Sequence, residues 1–316
     1  MSTDTIPSAY DEYNANNSGH PVILVIALII LIAAVVIFCL LYFRKRSVVN
    51  AQEKQLDDIS RELREKEKEK ARLSDTISRI TILRNDFSNE LKELWHRIEE
   101  TDVFKINKHQ IDSISEKLIA VKKNIFDDCC KNIYEFVRSN YDFEDGCCLV
   151  SIMQYFDVDQ NSPGNGSYIQ VIAAKISPPE ELPSMEPKYI DHFTAKPDNE
   201  IPLHVKLFNG KILIEDKHVF SLVDEQEIAK HFVKKDRREE NIKQYIGVAV
   251  LEKDKKCVRL LLQIDVDKKE LFGQTTKALD SFAGNSLSPY VTLLEVFYRY
   301  ESIVQDLLKK LEQVAV

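Results

Sequence analysis

The chain has 316 residues, a formal net charge of -8 at pH 7 and a sequence pI near 5.5. This acidic balance lacks the clustered basic face that nucleic-acid binding requires, so we expect no nucleic-acid partner. Six cysteines in a chain of this length exclude the class of small secreted domains held together by disulfides.

An uncharged apolar segment runs from Val22 to Phe43 and is followed at once by Arg44, Lys45 and Arg46. At about 1.5 Å per residue, a helix of this length spans roughly 33 Å, which is enough for the hydrocarbon core of a bilayer. A buried core helix is the alternative, but almost every side of this helix would be apolar. The segment 22–43 is therefore predicted to be a transmembrane helix.

The charges that flank this segment predict its orientation. Residues 1–21 include Asp4, Asp11 and Glu12 and contain no lysine or arginine, whereas the other flank is basic. The positive-inside rule places the short tail 1–21 outside the cell membrane and the rest of the chain in the cytoplasm. A cleaved signal peptide would need a basic start and a small-residue cleavage site, and the segment has neither.

The next segment, 47–104, is rich in charged residues and carries a heptad pattern. Ten of the thirteen positions in one a/d register are apolar. This pattern predicts a coiled-coil stalk, and it predicts a parallel dimer because identical chains leave the membrane in the same direction. A single helix that packs back on the next domain is the alternative. The thirteen positions are Leu56, Ile59, Leu63, Lys66, Lys70, Leu73, Ile77, Ile80, Arg84, Phe87, Leu91, Leu94 and Ile98.

Residues 105–316 are predicted to form one cytoplasmic domain of the α+β class, with an antiparallel sheet and helices gathered on one face. The patterns of apolar and turn residues predict its elements. In chain order these are a helix at 107–138, strands at 147–156 and 168–176, a proline-rich loop at 177–202, strand structure around an Asn209-Gly210 turn within 205–215, a short helix at 224–233, a hairpin of 245–251 and 257–266, and helices at 274–283 and 289–314.

The stretch from Ile242 to Glu301 resembles the C-terminal half of a GAF domain. The matching pattern is the strand YIGVAVL, the strand RLLLQIDV, a link that contains Phe-Gly, and a long closing helix. The strands CLVSIMQYF and YIQVIAAKI, with the helix before them, fit the first half, so the resemblance covers about 105–300. It implies a ligand-sensing or dimerisation module of the kind found in signalling proteins.

Cyclic-nucleotide-binding GAF domains carry an Asn-Lys pair followed by Phe-x3-Asp-Glu. In this chain Phe220, Asp224 and Glu225 match the second part, but a glycine separates Asn209 from Lys211 where the pair would be. The resemblance thus implies a ligand site at these three residues, which Phe208 and Tyr245 are expected to complete. The alternative is that Asp224 and Glu225 only cap a helix.

No catalytic residues, metal ligands or cofactor can be named from the sequence. The pairs Cys129-Cys130 and Cys147-Cys148 lack the two-residue gap of a zinc site, so packing in the core is the preferred interpretation. A methionine sulfoxide reductase of the GAF fold is an enzyme alternative, but the cysteine spacing of that family is not recognisable.

We therefore expect a non-enzymatic, single-pass membrane sensor. Its GAF-like domain would bind a small ligand or a protein partner and relay that state through the dimeric coiled coil; a membrane effector in stress or phage defence is one such setting. The rival hypothesis is a structural adapter that uses the domain only for dimerisation and partner recruitment. A hydrophobic, enclosed pocket lined by the loop 177–202 and by Phe208, Phe220 and Tyr245 would favour the sensor, and a pocket filled by its own side chains would favour the adapter.

Overall fold

The computed structural model describes residues 19–100, 107–141, 143, 146–157, 166–178, 181–197, 200–212, 219–232, 241–251 and 257–314. The predicted outer tail up to residue 18 and the hairpin turn at 252–256 lie outside the described residues. The chain divides into two compact units, Met1–Lys70 and Ala71–Val316.

The first unit contains most of helix α1 (Gly19–Glu99), which is 81 residues long. Its large apolar side chains from Val25 to Phe43 are between 51% and 70% exposed, at Val36 and Phe38 respectively. An exposed apolar surface of this length is typical of a helix that could span a membrane. Among the described residues, α1 is the one helix that is long and apolar enough to cross a membrane.

The predicted coiled-coil seam is solvent-exposed in this unit. Leu56, Ile59 and Leu63 are 62%, 62% and 58% exposed. Ion pairs of the i,i+4 type, such as Arg61 with Glu65, lie on the helix surface. An exposed apolar seam is what a coiled-coil partner would cover, and the dimer itself stays a prediction.

The second unit begins at Ala71 rather than at the predicted boundary of 105. Leu83, Phe87 and Leu94 of α1 are buried in the main hydrophobic core of this unit. Heptad-spaced side chains of the expected stalk therefore pack on helices of their own chain. In this part of the predicted stalk, α1 packs as a single helix on the domain of its own chain, which was the alternative to a coiled coil.

A six-stranded sheet forms the centre of the second unit, in the order β3-β2-β1-β6-β5-β4, and neighbouring strands are antiparallel. The α+β class predicted from the sequence is confirmed. After α1 the elements are α2 (Lys108–Asn140), β1 (Cys148–Phe156), β2 (Tyr168–Ile176), β3 (Lys188–Tyr189), α3 (Asp191–Thr194), α4 (Leu203–Phe208), β4 (Val219–Leu222), α5 (Glu225–His231), β5 (Gln244–Leu251), β6 (Val258–Val266), α6 (Thr276–Phe282), a π-helical turn (Ala283–Leu287) and α7 (Ser288–Val314).

Both faces of this sheet carry a hydrophobic core. Leu260, Leu262 and Ile264 of β6 face a core shared with α1, α2 and α7, while Leu261 faces a second core with α4 and α5. This division follows from the alternation of side chains along a strand. The long helices do gather on one face, as predicted. The short helices α4 and α5 differ from that prediction, because their apolar side chains cover the opposite face of the sheet.

The segment around Asn209-Gly210 also differs from the prediction of strand structure. Leu203–Phe208 is a helix, and the Asn209 backbone N–H donates to the carbonyl of Val205 at 3.0 Å. Gly210 then adopts a φ of 71°, which glycine reaches without a steric penalty. An Asn-Gly pair suits both a hairpin turn and a helix end, so the local sequence does not distinguish them.

A buried ion pair ties α7 to α2. The Lys122 ammonium lies 2.7 Å from a Glu301 carboxylate oxygen, and the two side chains are 13% and 7% exposed. The other carboxylate oxygen of Glu301 has no hydrogen-bond partner within the described part of the chain. Charges this deeply buried depend on one another, because neither regains water when its partner is removed.

Replacement of Glu301 by alanine should destabilise the second unit by about 3–5 kcal/mol, since it leaves the Lys122 charge buried and unpaired. Urea unfolding of the full chain in detergent, followed by near-ultraviolet circular dichroism, measures the loss. The double variant K122M/E301L is the control and should recover most of it. Equal losses in both variants would show that packing at these positions, and not the unpaired charge, sets the cost.

Candidate functional site

The five residues predicted to bind a ligand separate into two groups in the structure. Phe208, Phe220 and Tyr245 belong to the second core, where Phe208 and Tyr245 are buried and Phe220 packs against them. Asp224 and Glu225 lie instead at the start of α5, next to an open polar pocket. The predicted set is therefore not one continuous site.

Tyr245 is the centre of the first group and is almost completely buried. Its hydroxyl donates to the Gln263 side-chain oxygen at 2.9 Å, and the Gln263 amide donates to the Ser151 hydroxyl at 3.3 Å. Burial raises the pKa of Tyr245 well above its ordinary value, and the nearby Asp265 carboxylate adds to the shift. The phenol therefore stays protonated and fixed to the sheet at physiological pH.

Gly247 makes this position of the tyrosine possible. A Cβ atom at residue 247 would lie 2.9 Å from the Tyr245 hydroxyl and 3.2 Å from its ring. Gly247 is also paired with Gln263 across β5 and β6. The Tyr245 ring thus passes over Gly247 to reach Gln263. A larger residue at position 247 would displace the ring.

Aromatic side chains enclose Tyr245. The ring centroids of Phe232 and Phe220 lie 5.4 Å and 6.3 Å from that of Tyr245, both in edge-to-face arrangements. Phe208 stacks on Tyr155 at 6.4 Å. Described aromatic side chains thus pack on Tyr245, as the adapter hypothesis expects of this position.

The sequence did not single out His231 and Lys206, which lie beside this aromatic group. The His231 ring meets Phe220 edge to face at 5.7 Å, and its Nδ1 is buried without a hydrogen-bond partner among the described residues. Burial, together with the positive charge of Lys206, lowers the pKa of His231. The two residues come together only because α4 and α5 share one face of the sheet, and no local pattern signals that.

Asp224 caps α5, as the alternative interpretation of the sequence proposed. One of its carboxylate oxygens accepts hydrogen bonds from the backbone N–H groups of Gln226 at 2.9 Å and Glu227 at 3.0 Å.

The carboxylate of Glu225 is held by two lysines at the rim of the polar pocket. Lys269 lies 2.7 Å and Lys243 3.3 Å from one of its oxygens, and these contacts lower the pKa of Glu225. The pocket has a volume of about 390 Å³. Its lining carries three carboxylates, those of Asp224, Glu225 and Glu270, and two lysines, both of which are paired with Glu225.

A larger and more apolar site lies in the layer of long helices, on the side of the sheet opposite the second core. The groove between α1 and α7 has a volume of about 910 Å³, and Ile80, Phe87 and Leu91 of α1 line one of its walls. Trp95 of α1 is 51% exposed and Val296 of α7 is 50% exposed. The heptad pattern had marked the α1 wall, but nothing in the sequence placed α7 against it. We call this site the helical groove.

No protein family matches the chain's sequence, and no curated protein does. Among solved structures, a GAF domain matches with a TM-score of 0.30 and 11% identity, over 58% of this chain and 90% of that chain. The GAF domain region of a protein from Geobacter sulfurreducens PCA matches with a TM-score of 0.25 and 14% identity, over 61% and 91% of the two chains. The fold class of this chain rests on the six-stranded antiparallel sheet and its flanking helices.

Replacement of Gly247 by alanine should destabilise the second unit by about 1–3 kcal/mol, because the new methyl group displaces the Tyr245 ring. Thermal unfolding of the full chain in detergent measures the effect. Gly284 is the matched control, because a Cβ atom there meets nothing within 4 Å. G284A should therefore be neutral or stabilising. If G247A is as stable as G284A, the position of Tyr245 described here is incorrect.

Proposed function

We propose that this chain is a non-enzymatic, single-pass membrane signalling protein that acts as a parallel dimer. In this proposal the N-terminus lies outside the cell, and α1 connects the cytoplasmic unit to the membrane segment. The supporting observation is that the last part of α1 belongs to the core of the second unit through Leu83, Phe87 and Leu94. A change of packing in that core acts on α1 directly.

Polar contacts fix α1 to the C-terminal end of α2. The Arg72 side chain donates to the backbone oxygen of Asn140 at 3.0 Å, and its guanidinium lies 4.3 Å above the Tyr141 ring. The Asn140 side-chain amide donates to Asp75 at 2.6 Å. Arg79 adds an ion pair with Glu135 at 3.4 Å. We call these contacts the α1 clamp.

Aromatic contacts continue from the clamp to the sheet. The Tyr141 ring lies 5.3 Å from Phe272 and 5.5 Å from Phe282. The Phe272 backbone N–H donates to the Gln244 side chain at 3.1 Å, and the Gln244 amide donates to the Gly273 carbonyl at 2.7 Å. Gln244 is the first residue of β5. This continuous series of contacts supports a relay, which also requires two arrangements that a partner distinguishes.

The filled second core favours a protein partner over an enclosed small molecule as the input to this relay. Tyr245 is hydrogen-bonded to Gln263 and surrounded by aromatic rings, so a ligand at that position would have to expel a buried side chain. The proposal therefore joins the membrane relay of the sensor hypothesis to the recruitment role of the adapter. A ligand-binding role for Phe208, Phe220, Asp224, Glu225 and Tyr245 stays a prediction.

Cysteine cross-linking of the full chain in membranes tests the parallel dimer. In a background with Cys39 and Cys257 replaced by serine, L63C should form a disulfide-linked dimer under mild oxidation. Leu63 lies on the predicted seam, where two parallel helices bring equivalent Cβ atoms close enough for a disulfide.

The matched control is R61C, two residues away on the opposite side of the helix, which should cross-link far more slowly. The background without a new cysteine should give no dimer. Equal rates at the two positions, or no product from L63C, would contradict the parallel dimer.

A further inference from the structure

The helical groove combines apolar walls with an excess of positive charge in its lining. Arg84 and Lys92 of α1 line the groove and are exposed, and neither makes a hydrogen bond or an ion pair with a residue that the structure describes. Glu99 supplies the carboxylate of the lining, and it accepts a hydrogen bond from the Trp95 indole N–H at 2.6 Å. The groove therefore suits a ligand that is mainly apolar and carries a negative charge.

A buried hydroxyl without a partner lies in the α7 wall. Tyr300 lines the groove, and its hydroxyl oxygen is buried without a hydrogen-bond partner among the described residues. A buried polar group that stays unpaired costs free energy, which a ligand recovers when it supplies the missing partner. The oxygen of an anionic group accepts a hydrogen bond from such a hydroxyl.

The two walls of the groove run in the same direction. Near the start of α7, Tyr290 lies within the electrostatic influence of Arg79 of α1. Further along both helices, the Phe87 ring meets the Phe297 ring at 5.8 Å. Positions along one wall can therefore be matched to positions along the other by counting residues from this aromatic contact.

This count brings the charged and the hydroxyl-bearing side chains to one level. Lys92 is five residues beyond the contact and Tyr300 is three residues beyond it, so they differ by about 3 Å along the helix axes. The other end of the groove is lined by Ile80 and Pro289. Lys92 lies about 18 Å from Ile80 along α1, and one acyl chain covers about 15 Å, or half the hydrocarbon core of a bilayer.

We propose that the helical groove binds a free long-chain carboxylate. The carboxylate lies between Lys92 and Tyr300, and the single acyl chain runs along the apolar walls towards Ile80 and Pro289. This inference goes beyond the proposed function, which assigns no ligand to the groove, and it does not rest on the dimer. Because α1 forms one wall, the ligand contacts the helix that the relay uses.

Trp95 reports on this site, because it is the single tryptophan of the chain, lines the groove and lies about 4.5 Å beyond Lys92 along α1. The full chain is reconstituted in lipid vesicles at low protein density. It is then titrated with stearic acid that carries a nitroxide quencher either near the carboxylate or near the methyl end. The label near the carboxylate should quench Trp95 several-fold more strongly than the label near the methyl end.

Two pairs of variants test the charge and the apolar wall. K92Q should weaken binding of the labelled acid several-fold and leave binding of its uncharged methyl ester unchanged. Its control is K131Q, at an exposed lysine of α2 that does not line the groove. V296K should abolish binding of both the acid and the ester, whereas I119K, at an exposed aliphatic residue outside the groove, should have no effect.

Four results would overturn the inference. Equal quenching by a phospholipid with the same label would show that Trp95 meets the bilayer and not a free carboxylate. Loss of quenching as protein density rises would show that a second copy covers the groove. Stronger quenching by the label at the methyl end would contradict the placement of the carboxylate at Lys92 and Tyr300. Unchanged quenching in V296K would show that the acid binds elsewhere.

Discussion

Burial of one face of α1 in the core of the second unit is the constraint on which the rest of the account depends. Leu94 is completely buried, and the Phe87 ring meets the Phe297 ring of α7 at 5.8 Å. Phe297 also contacts Phe126 of α2 at 5.5 Å. Three helices therefore share one aromatic centre, and α1 cannot shift without repacking the other two.

The two faces of the sheet serve different purposes in this account. The helical face carries α1, its clamp and an apolar groove that is open to solvent. The opposite face is closed by Tyr245, which is bonded to Gln263 and lies across Gly247. The same sheet thus has an open apolar groove in the helical layer on one side and the buried Tyr245 network on the other.

Local patterns predicted β1, β2, β5 and β6, the long helices and the α+β class, because alternation and helical periodicity are encoded in neighbouring residues. The short strands β3 and β4 were not predicted, and β3 lies in the segment that was predicted to be a loop. They could not show that Phe87 and Leu94 pack within their own chain, since a heptad face is buried equally well by a second copy or by α2 and α7. The contacts within the second core could not be predicted from local patterns either. Tyr245, Gln263 and Ser151 come from three strands, and their contact depends on a sheet order that no local pattern determines.

Hydrogen–deuterium exchange of the full chain in a lipid bilayer tests the central claim most directly. We expect the backbone amides at positions 80–98 of α1 to exchange as slowly as those of β1 and β6, because they open together with the core. We also expect L94A to accelerate exchange in all three segments. Rapid exchange at 80–98 while β1 and β6 stay protected would show that α1 is an independent stalk, and would contradict the account.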